Sequence, residues 1–159
     1  MTNAAPLQLA QGILCGELRL AFTFAWARQI VDEFDLVALP RAPGWVLGAV
    51  SINGSIVPVV DLSSYFTQSA QPAQPQRGQQ LLVGGIQAED AEAALAVVFS
   101  QTPVQLEYEP QPLNSASNAL MPRMLDVCSG TAADDQGNQY FQIDTERLMD
   151  ALSVELSLI

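Results

Sequence analysis

Asn53-Gly54, set between two short apolar runs, constrains this chain more than any other pair of residues. The runs are Trp45–Val50 and Ile56–Val60. A tight primed turn needs positive φ at its central residues, and asparagine and glycine tolerate that best. The pattern predicts a β-hairpin. Pro58 has no N–H to give a ladder, so the second strand is expected at a sheet edge or with a bulge at that residue.

The same reading extends along the chain. Ile13–Phe24 reads as strand, broken near Cys15-Gly16-Glu17 by a hairpin or bulge. Ala25–Val31 fits either a strand or one short helical turn, and periodicity does not choose between them. Leu62–Phe66 begins a short helical turn. Leu81–Ile86 and Ala93–Phe99 form a further hairpin around the acidic turn Gln87–Glu92, and Thr102–Gln105 continues the sheet. Glu107–Asn118, with prolines at 110 and 112, is irregular. Met124–Ser129 and Gln139–Ile143 read as strands around Ala132–Asn138, where Asp134-Asp135 and Gly137 favour a turn. Asp144 or Thr145 caps a helix to about Leu152, with Leu148, Met149 and Leu152 on one face. Thr67–Gln80, rich in glutamine and proline, buries too little apolar surface to order itself and is expected to be a mobile loop. Residues 1–10 are expected to form a flexible tail, and residues 11–155 a single domain. Many short strands without βαβ alternation predict a mainly β, barrel-type fold.

Composition excludes several functions. Seventeen acidic residues face six basic ones, giving a net charge of −11. All six cations are arginine. Binding to a phosphate backbone needs clustered cations, so no nucleic-acid partner is expected, and an anionic lipid surface is disfavoured for the same reason. There is no histidine, which removes the commonest general base and metal ligand. With no lysine, neither a P-loop nor a Schiff base is available. No C-x-x-C is present, so no structural zinc and no other cofactor is expected. No apolar run approaches the length of a membrane-spanning helix. No cationic start precedes the first apolar residues, so no signal peptide is expected. Cys15 and Cys128 read as buried free thiols, consistent with the cytoplasm.

Asp61, after Val59-Val60, reads as a structural carboxylate that accepts backbone N–H bonds at the start of a turn. It lacks the following Thr/Ser-Gly of an aspartic-protease strand. Asp134-Asp135 supplies too few oxygens for calcium. Trp45 reads as core or as a half-buried platform. Trp26 reads as core, with an exposed partner site as the alternative.

The stretch Pro40–Phe66 resembles the CheW-like family, adaptors that couple chemotaxis receptors to a histidine kinase. Members carry a Y-A-L-P-like strand end, then V-x-E-I, a proline about ten residues on, W-V-x-G, N-x-R-G and P-V-V-D-L. Here Leu20-Ala21-Phe22-Thr23 and Ala27-Arg28-Gln29-Ile30 stand at the first two motifs, followed by Pro40, Trp45-Val46-Leu47-Gly48 and Pro58-Val59-Val60-Asp61-Leu62. Ala27 and Gln29 replace the family's valine and glutamate, and Asn53 stands where the family has the turn arginine. The resemblance implies two small SH3-like β-barrel subdomains sharing a core, with a short C-terminal helix. It implies no enzymatic activity. Trp45, Gly48, Pro58 and Asp61 become scaffold positions. The implied partners are a chemoreceptor's cytoplasmic tip and the regulatory domain of a CheA-type kinase. Partner contacts map to Ala27, Ile30, Val31, Asp32, Asn53, Gly54 and Ser55, and the location implied is cytoplasmic, at receptor arrays. Two alternatives stand beside this one. One is a coupling protein of a type IV pilus (twitching) system. The other is a small β-barrel ligand-binding module with no signalling partner.

Overall fold

The computed structural model describes residues 7–85, 94–109, 111–113 and 121–156. The chain runs β1 (Gln8–Cys15), β2 (Leu18–Thr23), β3 (Ala27–Val31), β4 (Val46–Ile52), β5 (Ser55–Val60), α1 (Leu62–Thr67), β6 (Gln80–Gly84), β7 (Leu95–Tyr108), α2 (Pro122–Val127), β8 (Cys128–Ala133), β9 (Gln139–Ile143) and α3 (Thr145–Leu156). The fold is mainly β, as the sequence predicts.

One long strand organises the rest. β7 runs 14 residues. Its first half pairs with β6 and β5, giving the order β3-β6-β7-β5-β4. Its second half pairs with β1, giving β7-β1-β2-β9-β8. Each set of five strands has a core of its own. Val50, Ile52, Val57, Val59, Leu81, Val83 and Val98 fill the first, and Ala10, Ala21, Leu106, Tyr108, Ala132 and Tyr140 fill the second. A third, larger core lies between them, built from Phe22, Phe66, Phe99, Leu20, Leu95, Met124, Leu148 and Leu152. The two expected subdomains therefore share a core.

The expected closure of the barrels is incomplete. Neither set of strands closes through a ladder among the described residues. Each is bridged once instead. Val37, beyond β3, bridges Ala49 on β4, and Gln111, beyond β7, bridges Thr131 on β8. The chain leaving one edge thus curls round to touch the other.

The hairpin forms at Asn53-Gly54, with φ of 50° and 85° as a type I′ turn requires. Pro58 carries no bulge. The ladder's irregularity lies on the facing strand, between Val46 and Gly48. The other edge of β5 meets β7 only at Val59 and Val60, so Pro58 sits where that edge is open. Residues 24–26 turn before β3, which settles the Ala25–Val31 ambiguity as turn then strand.

Three expectations are corrected. Residues 8–10 belong to β1 and not to a tail. Met124–Ser129 is not a strand; residues 122–127 form α2, and β8 starts at Cys128. Pro122 sits in the first turn, where its missing N–H costs nothing, and Met124 and Val127, three apart, share the buried face. Six residues are too few for that period to show in a sequence. Finally, α3 extends past Leu152 to Leu156. The turn at Gln87–Glu92 lies outside the described residues, as do residues 114–118.

Asp61 caps α1 by accepting from Ser64 N–H at 3.2 Å. Asp144 does the same for α3, accepting from Arg147 N–H at 3.1 Å. Asp134 accepts from the N–H groups of Gln136 and Asn138, a closed turn that uses up its oxygens. Residues 68–79 carry no helix or strand. They are nonetheless tied down, by Ser69 N–H donating to Ser64 O at 3.2 Å and by Ala73 N–H donating to Gly44 O at 2.7 Å. Among the described residues no helix is long and apolar enough to cross a membrane.

Both thiols are buried and unpaired. Burial pushes Cys128 up to about 12. Burial and the nearby Asp61 charge raise Cys15 as well. The unfolded chain, with cysteine near 8.5, releases these protons first. Above about pH 8.5 it therefore binds fewer protons than the folded chain, and stability must fall as pH rises. We expect urea midpoints to be insensitive to the thiols at pH 7. Each thiol should cost about 0.8 kcal/mol by pH 9. The Cys15→Ala, Cys128→Ala double variant should lose part of that slope. An unchanged slope would assign it to other groups.

Candidate docking surface

β3 is an edge strand of its sheet. It pairs with β6, through Gln29↔Val83, Ile30↔Leu82 and Val31↔Leu81, and with no other strand among the described residues. Trp26 fixes its start. The indole stacks on Phe22 at 5.2 Å between ring centroids. Its carbonyl accepts from Gly85 N–H at 3.2 Å. Trp26 is thus half-buried and structural, with its indole N–H lacking a protein partner.

Successive side chains on a strand face opposite ways. Ile30 is 39% exposed, whereas Val31 is half-buried and packs on the first private core. Ala27 and Ile30 join Gln11, Phe24 and Leu82 around a groove of about 430 Å³. This groove lies where β1 of one sheet passes β3 of the other. Asp32 is exposed just beyond it, followed by Glu33 and Asp35, also exposed.

Asn53 and Gly54 are exposed and Ser55 is half-buried. They sit on the β4–β5 hairpin, at the opposite end of the strand order from β3. The structure therefore gathers Ala27 and Ile30 at one groove, sets Val31 into the core, and places the turn elsewhere. A second apolar surface was not apparent from the sequence. Ile56 is 77% exposed and shares its face of β5 with Pro58. Pro58 pairs with Ala49, and Ala49 is bridged by Val37, itself 66% exposed. Reading Ile56–Val60 as one apolar run hid the alternation. Only the pairing shows that Ile56 points outward.

Trp45 is core, with a polar handle. Its indole N–H donates to Glu155 Oε2 at 2.8 Å. Arg123 pairs with Glu155 Oε1 at 3.1 Å and stacks over the Tyr65 ring, 4.5 Å from its centroid. Tyr65 meets Trp45 edge to face at 5.1 Å. These four residues fasten α1, α2 and α3 to the start of β4. No sequence motif foretells the Glu155 link, 110 residues away from Trp45.

Among the described residues no group of three or more acidic or cysteine side chains is placed to hold a metal. The model of the CheW-like domain matches residues 12–153. The chain belongs to the CheW-like domain family. No curated protein sequence matches it. Fifteen chains of solved structures do match. One is the crystal structure of the scaffolding protein TtCheW from Thermoanaerobacter tengcongensis. It is 14% identical, with a TM-score of 0.63, and the match covers 87% of this chain and 89% of that one. At that identity the likeness is one of fold. The family match reaches 153, so Glu155, which anchors Trp45, lies just beyond the matched residues.

Proposed function

We propose that this CheW-like protein is a non-catalytic adaptor in bacterial chemosensory signalling. It couples a chemoreceptor's cytoplasmic tip to the regulatory domain of a CheA-type histidine kinase, in the cytoplasm and at the membrane only through its partners. The observation that carries the reading is the pair of exposed apolar side chains, Ile30 and Ile56, on two strands, β3 and β5, that do not pair with each other. An adaptor must hold two partners at once. Each contact can be weak, because assembly raises effective concentration.

The receptor surface is the β3 groove with Ala27 and Ile30, backed by Val31 from the core side and flanked by the exposed Asp32. An apolar helix face suits such a groove. The turn Asn53-Gly54-Ser55 completes the contact set beside Ile56. The acidic run Asp32, Glu33 and Asp35 favours a basic rim on the partner.

The test is binding of a receptor cytoplasmic fragment and of the kinase regulatory domain, each measured by calorimetry. Ile30→Glu should weaken the receptor fragment at least tenfold and spare the kinase domain. Ile56→Glu should do the reverse. Asn53→Arg adds a fork of donors at the turn, and should shift affinity for one partner by about 1 kcal/mol. Unchanged receptor affinity for a folded Ile30→Glu protein would remove β3 from the interface.

A further inference from the structure

A larger cleft shares no lining residue with the β3 groove and does not include Ile56. It has a volume of about 870 Å³ and opens between β7 and the β8–β9 turn. Over Gln101–Tyr108, β7 pairs among the described residues with β1 alone. No described strand pairs with the second edge of this half-strand. Leu106 and Tyr140, from the private core of that sheet, line the inner side of the cleft. Gln105, Glu107 and Leu9 line it too, and these belong to the other face of the β1–β7 pair, where Leu9 stands opposite Glu107. A cleft lined from both faces of a strand wraps that strand's edge.

We propose that the open edge of β7, from Val104 to Tyr108, accepts an extended peptide segment of a partner as an added strand. Backbone groups on an unpaired edge are a template for such pairing. The upper end of the edge is blunted. Gln101 takes a positive φ of 66°, the register with β1 slips there, and Pro103 has no N–H to offer. Bulges and prolines are how sheets limit promiscuous edge pairing. The lower end is bounded by the Gln111–Thr131 bridge, and the fit is therefore to about five residues of strand.

The rim sets the chemistry of the occupant. Leu7 and Leu9 are 57% and 46% exposed beside the cleft. Asp135 and Glu107 carry no ion pair among the described residues. Asp134 adds a third carboxylate to the lining, against one cation, Arg19. The net rim is acidic and apolar. The occupant is a segment alternating basic and apolar side chains.

This inference stands apart from the adaptor reading, because neither Ile30 nor Ile56 lines the cleft. A seven-residue capped peptide alternating lysine and valine is the probe, with a glutamate–valine peptide as control. Hydrogen exchange on the full chain is the readout. The basic peptide should slow exchange at Gln105 and Glu107, and a Glu107→Lys, Asp135→Lys protein should bind it at least tenfold more weakly. The acidic control should not protect these amides. A third variant, Gln105→Pro, removes one edge N–H and should abolish protection while the protein stays folded by circular dichroism. Should that variant unfold, an N-methylated version of the basic peptide replaces it, and must fail to protect. Protection that maps elsewhere, or no binding at millimolar peptide, overturns the proposal. So does edge protection that appears without peptide as protein concentration rises, which would make a second copy the occupant.

Discussion

Replacing Phe22 with alanine should lower stability by about 3–5 kcal/mol, the range for truncating a buried phenylalanine. Phe22 is fully buried in the core shared by the two sheets. Few side chains can relax into the space it leaves, because residues from both sheets and from α1, α2 and α3 converge on that core. The loss also reaches the β3 groove. Trp26 stacks on the Phe22 ring, and the Trp26 backbone holds the first residue pair of β3 against β6. The denaturant midpoint should therefore fall at unchanged slope, and the melting temperature by roughly 10 °C or more for a chain of this length. Phe22→Leu, which keeps most of the volume, should recover most of the loss. A loss under about 1 kcal/mol for the alanine variant would show that the shared core collapses around the gap, and that the two halves are less interdependent than their packing indicates.

The parts of this architecture that were legible in the sequence are those written in local chemistry. Asn53-Gly54 announces its hairpin because positive φ is a property of two adjacent residues. Asp61 and Asp144 announce their helices because a cap is likewise local. The continuity of β7 through both sheets was not legible. The sequence reads here as a strand to Phe99, a continuation of the sheet over Thr102–Gln105 and an irregular stretch from Glu107, where the structure has one strand to Tyr108 with an irregularity at Gln101–Pro103. That irregularity carries one strand from one sheet into the next. The helix at residues 122–127 escaped because Met124, Leu125 and Val127 are as apolar as a strand. The candidate docking surface was only half legible. A linear motif names β3, but the sorting of Ile30 outward and Val31 inward depends on which face meets the core. The exposed Ile56 depends on the same pairing, as does the Trp45–Glu155 bond between residues distant in sequence. Tertiary partners decide these, and one sequence does not contain them.

Gly48→Ala is the second large expected effect, because one methyl group there meets backbone. Gly48 has φ of 149°, a conformation that side-chain-bearing residues rarely adopt. A Cβ at this position would lie 2.6 Å from the carbonyl oxygen of Val37. That oxygen cannot simply move aside. It accepts from Ala49 N–H at 2.8 Å, and Val37 N–H donates back to Ala49 O at 2.8 Å. Among the described residues these two bonds are the only bridge that brings the chain leaving β3 round to β4. Alanine therefore adds backbone strain of about 1–3 kcal/mol and threatens two hydrogen bonds worth about 1 kcal/mol each. The net loss expected is about 2–4 kcal/mol. The consequence is also local. Asp32, Glu33 and Asp35 lie on the freed segment, between the end of β3 and the Val37 bridge. At a temperature where the variant remains folded, hydrogen exchange at Val37 and Ala49 should accelerate well beyond the global change, and receptor-fragment binding should weaken. Ala49→Gly, which leaves the bridge's backbone bonds in place, should do neither to the same degree. If Gly48→Ala keeps both amides protected, the carbonyl has shifted without losing its bonds, and the glycine of the Trp45–Gly48 motif is not there to admit Val37.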